Sequence, residues 1–168
     1  MTKLTCRSAV LLCATLCAAN ACAVNPVEDT AADQQQREAT FEEAMANTIL
    51  TGVFTVDGKL DAAPKAESYE IESVKKLGGG IWTFTTRVKY GDVDVKLPIN
   101  VPVIWAGDTP MVSLTNASIP GMGEGFSARV IFYDNRYAGT WQHGKKGGHM
   151  YGTIAKNKVA NKAEPTTE

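Results

Sequence analysis

The sequence predicts an all-β protein: a small antiparallel up-and-down barrel of about eight strands with a short N-terminal helix, a β-sandwich being the alternative. Three observations carry this. From Ile49 onward apolar residues recur at every second position, the period of a half-buried strand. Turn pairs such as Asp57-Gly58, Gly91-Asp92 and Asp134-Asn135 punctuate the runs, at the spacing of about 8–12 residues typical of all-β domains. The connections are short, so consecutive strands pair antiparallel. Closing such a sheet removes edges that would otherwise template aggregation.

Taken in order, Thr40-Phe41-Glu42-Glu43 reads as a helix start, with Thr40 as N-cap and Glu43 closing a capping box. Phe41, Ala44 and Met45 then share one face, which predicts a helix over residues 40–47. Leu50, Gly52, Phe54 and Val56 mark a first strand, and a second runs from Tyr69 through Ile71 towards Leu77 until Gly78-Gly79-Gly80 breaks it. Trp82, Phe84, Thr86, Val88 and Tyr90 separate cleanly from Thr83, Thr85, Arg87 and Lys89. The run from Val93 to Trp105 alternates throughout but contains Pro98 and Pro102. Proline cannot donate to a ladder, so this is two strands or one sharply bent strand, with each proline at an edge, bulge or bend. Met111–Thr115 is a short strand, and residues 116–125 form a glycine-rich irregular stretch. Phe126–Tyr133, Tyr137–Trp141 and His149–Thr153 complete the set.

The ends read differently. Lys3 and Arg7, the apolar run Ala9–Ala19 and the small residues Ala21-Cys22-Ala23 have the three-part layout of a secretory signal peptide. The run is too short to span a bilayer as an anchor. All four cysteines of the 168-residue chain, at positions 6, 13, 17 and 22, fall in this segment. Cleavage after Ala23 removes them all, leaving no transmembrane span; cleavage after Ala21 leaves Cys22 as a lipid-attachment residue. The expected organisation is a signal peptide at 1–23, a flexible acidic linker at 24–39, a barrel domain with its helix at 40–155 and a polar tail at 156–168. The product is periplasmic or secreted, or lipid-anchored through Cys22. The net charge of −1 gives no footprint for nucleic acid. It conceals a division: residues 24–48 hold six acids and one base, whereas the remainder to the C-terminus is slightly basic.

Chemistry-bearing residues are few. Both histidines, His143 and His149, flank Gly144-Lys145-Lys146-Gly147-Gly148. Were those five residues the hairpin loop, the imidazoles would oppose each other as half of a metal site and Trp141 would pair with Tyr151. The competing reading is a glycine-rich hairpin with polar shoulders. No third ligand is near in sequence, and Lys145 and Lys146 would repel a cation. Thiol catalysis is excluded once the leader is removed, and no G-x-S-x-G elbow occurs. No cofactor motif is present. The aromatic residues Trp82, Phe84, Tyr90, Trp105, Phe132 and Trp141 are the candidate ligand-binding set, because they share the face that a barrel turns inward. They either fill a narrow barrel or line a pocket for an apolar ligand.

Over Trp105-Ala106-Gly107-Asp108-Thr109-Pro110 and Tyr137-Ala138-Gly139-Thr140-Trp141-Gln142-His143-Gly144, continuing through Gly147-Gly148-His149-Met150-Tyr151-Gly152, the chain resembles small exported proteins of planctomycete-type bacteria. The similarity spans roughly Phe41 to Ile154 and implies an exported bacterial protein, with nothing implied about activity. The layout also resembles lipocalin and avidin-like barrels, and Gly139-Thr140-Trp141 is similar to the lipocalin Gly-x-Trp. That motif belongs on the first strand, where this chain has Gly52-Val53-Phe54, so no ligand residues carry over. The expectation is an exported, non-enzymatic barrel that binds a small apolar or amphipathic ligand or an envelope partner. The alternatives are a structural or interaction module of the envelope, and a metal-dependent or other hydrolase using the His143/His149 hairpin.

Overall fold

A computed structural model describes residues 30–59 and 61–158; the signal-like segment expected at 1–23, with Cys22, and the last ten residues lie outside this range. One helix, α1 (Ala31–Met45), precedes eight strands: β1 (Thr48–Phe54), β2 (Lys65–Gly78), β3 (Ile81–Tyr90), β4 (Val93–Ala106), β5 (Thr109–Ile119), β6 (Gly123–Tyr133), β7 (Arg136–His143) and β8 (Lys146–Lys156). Each strand pairs antiparallel with the next, and β1 pairs with β8, so the sheet closes as an up-and-down barrel.

The turns explain the topology. Five of the seven connections are two residues long, which leaves a strand no option but to return beside its predecessor. Asp134 and Asn135 both take positive φ, 47° and 56°, as a type I′ turn requires. The prolines of β4 fall within Val93–Pro102, a stretch whose register pairs only with β3; pairing with β5 begins at Val103. A residue without an N–H donor is tolerated where one flank of the strand lacks a partner. Val93–Ala106 is therefore a single strand. The glycine-rich stretch at 116–125 is mostly strand as well, absorbed by register shifts in the β5–β6 ladder.

The inward face is apolar, and the outward face of β2, β3 and β4 carries paired charges. Arg87 donates to both oxygens of Asp94 at 2.6 and 2.8 Å, and Lys89 pairs with Glu70 at 2.6 Å, all on the outer wall. A membrane barrel has the opposite arrangement, an apolar outer band around a polar interior. No helix among the described residues is long and apolar enough to cross a membrane.

The helix begins nine residues earlier than the sequence suggests, within the stretch expected to be a linker. Its N-cap is Thr30, not Thr40. The Thr30 hydroxyl accepts from the Asp33 N–H at 3.2 Å, and the Asp33 carboxylate accepts from the Thr30 N–H at 3.1 Å. Thr40 sits inside the helix, its hydroxyl donating back to the Gln36 carbonyl at 2.8 Å. Only Phe41 and Met45 of α1 are buried, so the first turns carry no apolar periodicity to read.

Those two side chains close one end of the barrel. The Phe41 ring meets Trp82, Phe84, Trp105 and Phe132 at centroid distances of 5.5–6.2 Å. Polar contacts fix the docking: Glu38 takes Lys76, and Glu42 accepts the backbone N–H of Lys76 at 2.9 Å. At the other end of α1, Lys156 of β8 donates to the carbonyls of Glu43, Ala44 and Ala46. These are carbonyls that a helix C-terminus leaves unpaired, and a cation there also suits the dipole. Replacing Phe41 with Ala removes the plug's central ring and is expected to cost about 3–5 kcal/mol. The exposed Tyr133→Ala should stay within about 0.5 kcal/mol of wild type. Urea unfolding of both variants checks this.

Candidate functional site

Above the Phe41 plug the barrel is hollow. A cavity of about 260 Å³ runs between the strands, its wall almost entirely apolar side chains such as Leu50, Ile71, Val88, Leu114 and Val130. The mouth lies opposite the helix. There Phe126 and His143 stack in parallel, centroids 4.0 Å apart, and Trp141 packs edge-on to Phe54 at 5.7 Å. The indole N–H of Trp141 donates to the Thr55 carbonyl at 3.1 Å, so this aromatic shoulder is held in place.

The apolar wall carries one acid. Glu67, near the start of β2, is 5% exposed. Tyr137 donates to its Oε1 at 2.8 Å and Tyr69 to its Oε2 at 3.0 Å. The two phenol rings meet edge to face, 6.4 Å apart. Burial pushes the Glu67 carboxyl above its ordinary range, against the two hydroxyl donors, which favour the anion. Burial first, and then the neighbouring Glu67, hold the Tyr137 phenol well above its usual value.

The backbone explains how Tyr137 reaches Glu67 from three strands away. In register, Tyr137 of β7 faces Gly152 of β8, Gly152 faces Gly52 of β1, and Gly52 faces Glu67 of β2. The Tyr137 ring lies across the two glycines. A Cβ on Gly52 would come within 2.3 Å of the Tyr137 hydroxyl, and one on Gly152 within 2.7 Å of its ring. Each would also strike the backbone of the neighbouring strand. The glycine pair is thus a groove in the wall, cut to the width of the phenol.

One further polar atom is buried in the chamber lining. The Thr86 hydroxyl of β3 has no hydrogen-bond partner among the described residues.

The aromatic residues expected from sequence divide into two groups. Phe84, Phe132 and Trp141 line the chamber. Trp82, fully buried, and Trp105, half-buried, instead pack around Phe41 in the plugged end. Tyr90 ends β3 opposite Glu67; its side chain is outside the described set. Filling and pocket therefore coexist, one at each end.

The histidine pair does not form. The hairpin turn is only Gly144-Lys145, so His143 faces Lys146 and His149 faces Thr140. Positions 140 and 143 lie on opposite faces of β7, because side chains alternate. His143 therefore stands at the mouth while His149 points outward, and the two cannot share an ion. Trp141 likewise faces Gly148, not Tyr151. Among the described residues no group of three or more His, Cys, Asp or Glu side chains is placed to hold a metal.

The sequence reading missed Glu67 because it began the second strand at Tyr69. The signal was parity: Glu67 is in step with Tyr69 and Ile71, the inward set. No family model matches the chain, and no curated protein or solved structure matches it either.

A folded-state carboxyl pKa above its unfolded value means that the folded chain binds the proton more tightly. Stability associated with Glu67 is then full at low pH and declines as pH rises from the ordinary carboxyl range through the folded pKa. Glu67→Gln cannot titrate, so its melting temperature should gain on wild type between about pH 4 and about pH 8. Thermal unfolding at the two pH values tests this; a constant gap would place the Glu67 pKa at its unfolded value.

Proposed function

We propose that this chain is an exported, non-enzymatic barrel protein that binds a small apolar or amphipathic molecule inside its chamber. The observation that carries the reading is the apolar cavity inside the barrel, bounded at one end by the rings packed on Phe41 and opening at the other through an aromatic mouth. Ligand pockets are typically concave and mostly apolar, with a few placed polar groups. Here those groups are Glu67, its two tyrosines and Thr86. Export is supported by the signal-like layout of residues 1–23 and by cysteines confined to that segment.

Ala128 lines the chamber next to Trp141 in register. Ala128→Phe adds a ring to that space and is expected to weaken binding of an apolar probe such as n-octanol by about tenfold or more. Calorimetric titration reads the change, with native mass spectrometry of gently purified protein reporting any molecule already bound. Equal affinity in wild type and Ala128→Phe, with no bound mass, would overturn the chamber as the site.

A second reading, an interaction module, has one specific observation in its favour. On the outer wall Ile104, Met111, Ile131, Ala138 and Tyr151 follow one another in register across five strands. Ile104, Ile131 and Tyr151 are each more than 40% exposed. On this reading the row joins two copies of the chain. Concentration-dependent self-association in sedimentation, abolished by Ile131→Lys, would support it; a monomer at all concentrations would remove it.

A further inference from the structure

The chamber lining is one-sided in charge. Glu67 is an acid, and no lysine or arginine lines the cavity among the described residues. The other ionisable groups there are Tyr69 and Tyr137, already bonded to Glu67, and His143, stacked on Phe126 at the mouth. Each carboxylate oxygen of Glu67 accepts one tyrosine hydroxyl, and a carboxylate oxygen has room for a second donor. The two tyrosines fix the acid in position but bring no positive charge to it. The open acceptor positions on Glu67 mark the contact that a bound donor would complete.

We propose that the chamber takes an amphipathic molecule whose polar end is a basic amine held by Glu67, with its apolar body along the apolar wall of the chamber. This rests on the reading of the barrel as a small-molecule binder. The alternatives fail on charge. A carboxylate head would place a second anion beside Glu67 with no cation to offset either. A neutral hydroxyl would fill one acceptor site and leave the charge of the carboxylate uncompensated. An ammonium brings both the opposite charge and up to three donors, the pairing that makes the stronger hydrogen bonds. Burial raises the proton affinity of Glu67, and an ammonium beside it would act in the opposite direction by favouring the anion.

The test is calorimetric titration of the full chain, at about neutral pH, with n-octylamine, n-octanol and n-octanoate, which share one apolar tail. Octylamine is expected to bind about tenfold or more tightly than octanol, with octanoate weakest. Glu67→Gln should erase the advantage of the amine and keep the affinity for octanol, with its circular dichroism melt showing a folded barrel. If that variant fails to fold, the wild-type ranking decides alone. Octanoate or octanol binding as tightly as octylamine would overturn the amine proposal and leave the chamber as a binding site. Binding of none of the three would overturn both.

Discussion

The constraint on which the rest of the barrel depends is a carboxyl group buried in an otherwise apolar wall. Burying an isolated charge is costly, and a buried polar group left without partners costs about 1–3 kcal/mol or more. Glu67 avoids the second penalty through two phenols, one from its own strand and one from β7. The second partner imposes conditions on the whole wall. A side chain that crosses two strands needs a floor without Cβ atoms, and Gly52 and Gly152 are the two positions that lie between Tyr137 and Glu67. The close approach of β1 and β8 at these glycines and the ring that lies across them together tie residue choice on four strands.

The two ends of the barrel solve opposite problems. At the helix end Trp82, Trp105 and Phe132 interlock around Phe41, with Met45 beside them in the core. At the other end the aromatic side chains are braced against the wall or against each other, Trp141 by the Thr55 carbonyl and His143 by Phe126. Bracing keeps them out of the interior, and the chamber stays open between plug and mouth. Strand number permits either outcome in an eight-stranded barrel; the aromatic placements decide it here.

Much of this was legible in the sequence, for a physical reason. A strand with one face buried must alternate, and a closed barrel has every strand in that condition, so the inward set from Leu50 to Met150 stands out by parity alone. The barrel and the chamber residues Phe84, Phe132 and Trp141 follow from it. The failures share a cause: each lay where burial is set by distant partners. Glu67 is a charged residue on an inward parity, understandable only once Tyr137 is seen to reach it from 70 positions away. The first turns of α1 bury little, so only the Thr30–Asp33 box announces them. The histidine hairpin misled because Gly147 and Gly148 look like loop residues. They are strand residues, and at Gly148 the Thr55 carbonyl passes too close for any side chain.

The clasp between the chain's two ends has a consequence for how the molecule assembles. Seven of the eight strand pairings join neighbours in sequence and can zip locally, hairpin by hairpin. The eighth, β1 with β8, and the Lys156 grip on the last turn of α1 join residues about a hundred positions apart. Loop-closure entropy opposes long-range contacts until many local ones are in place. The chamber therefore comes into being in a single late event, when β8 meets β1. Until then the inward faces of seven strands form an open, curved sheet, with the Glu67 acid on one flank and its Tyr137 donor near the other. A chain released before β8 is complete has the parts of the pocket and no interior.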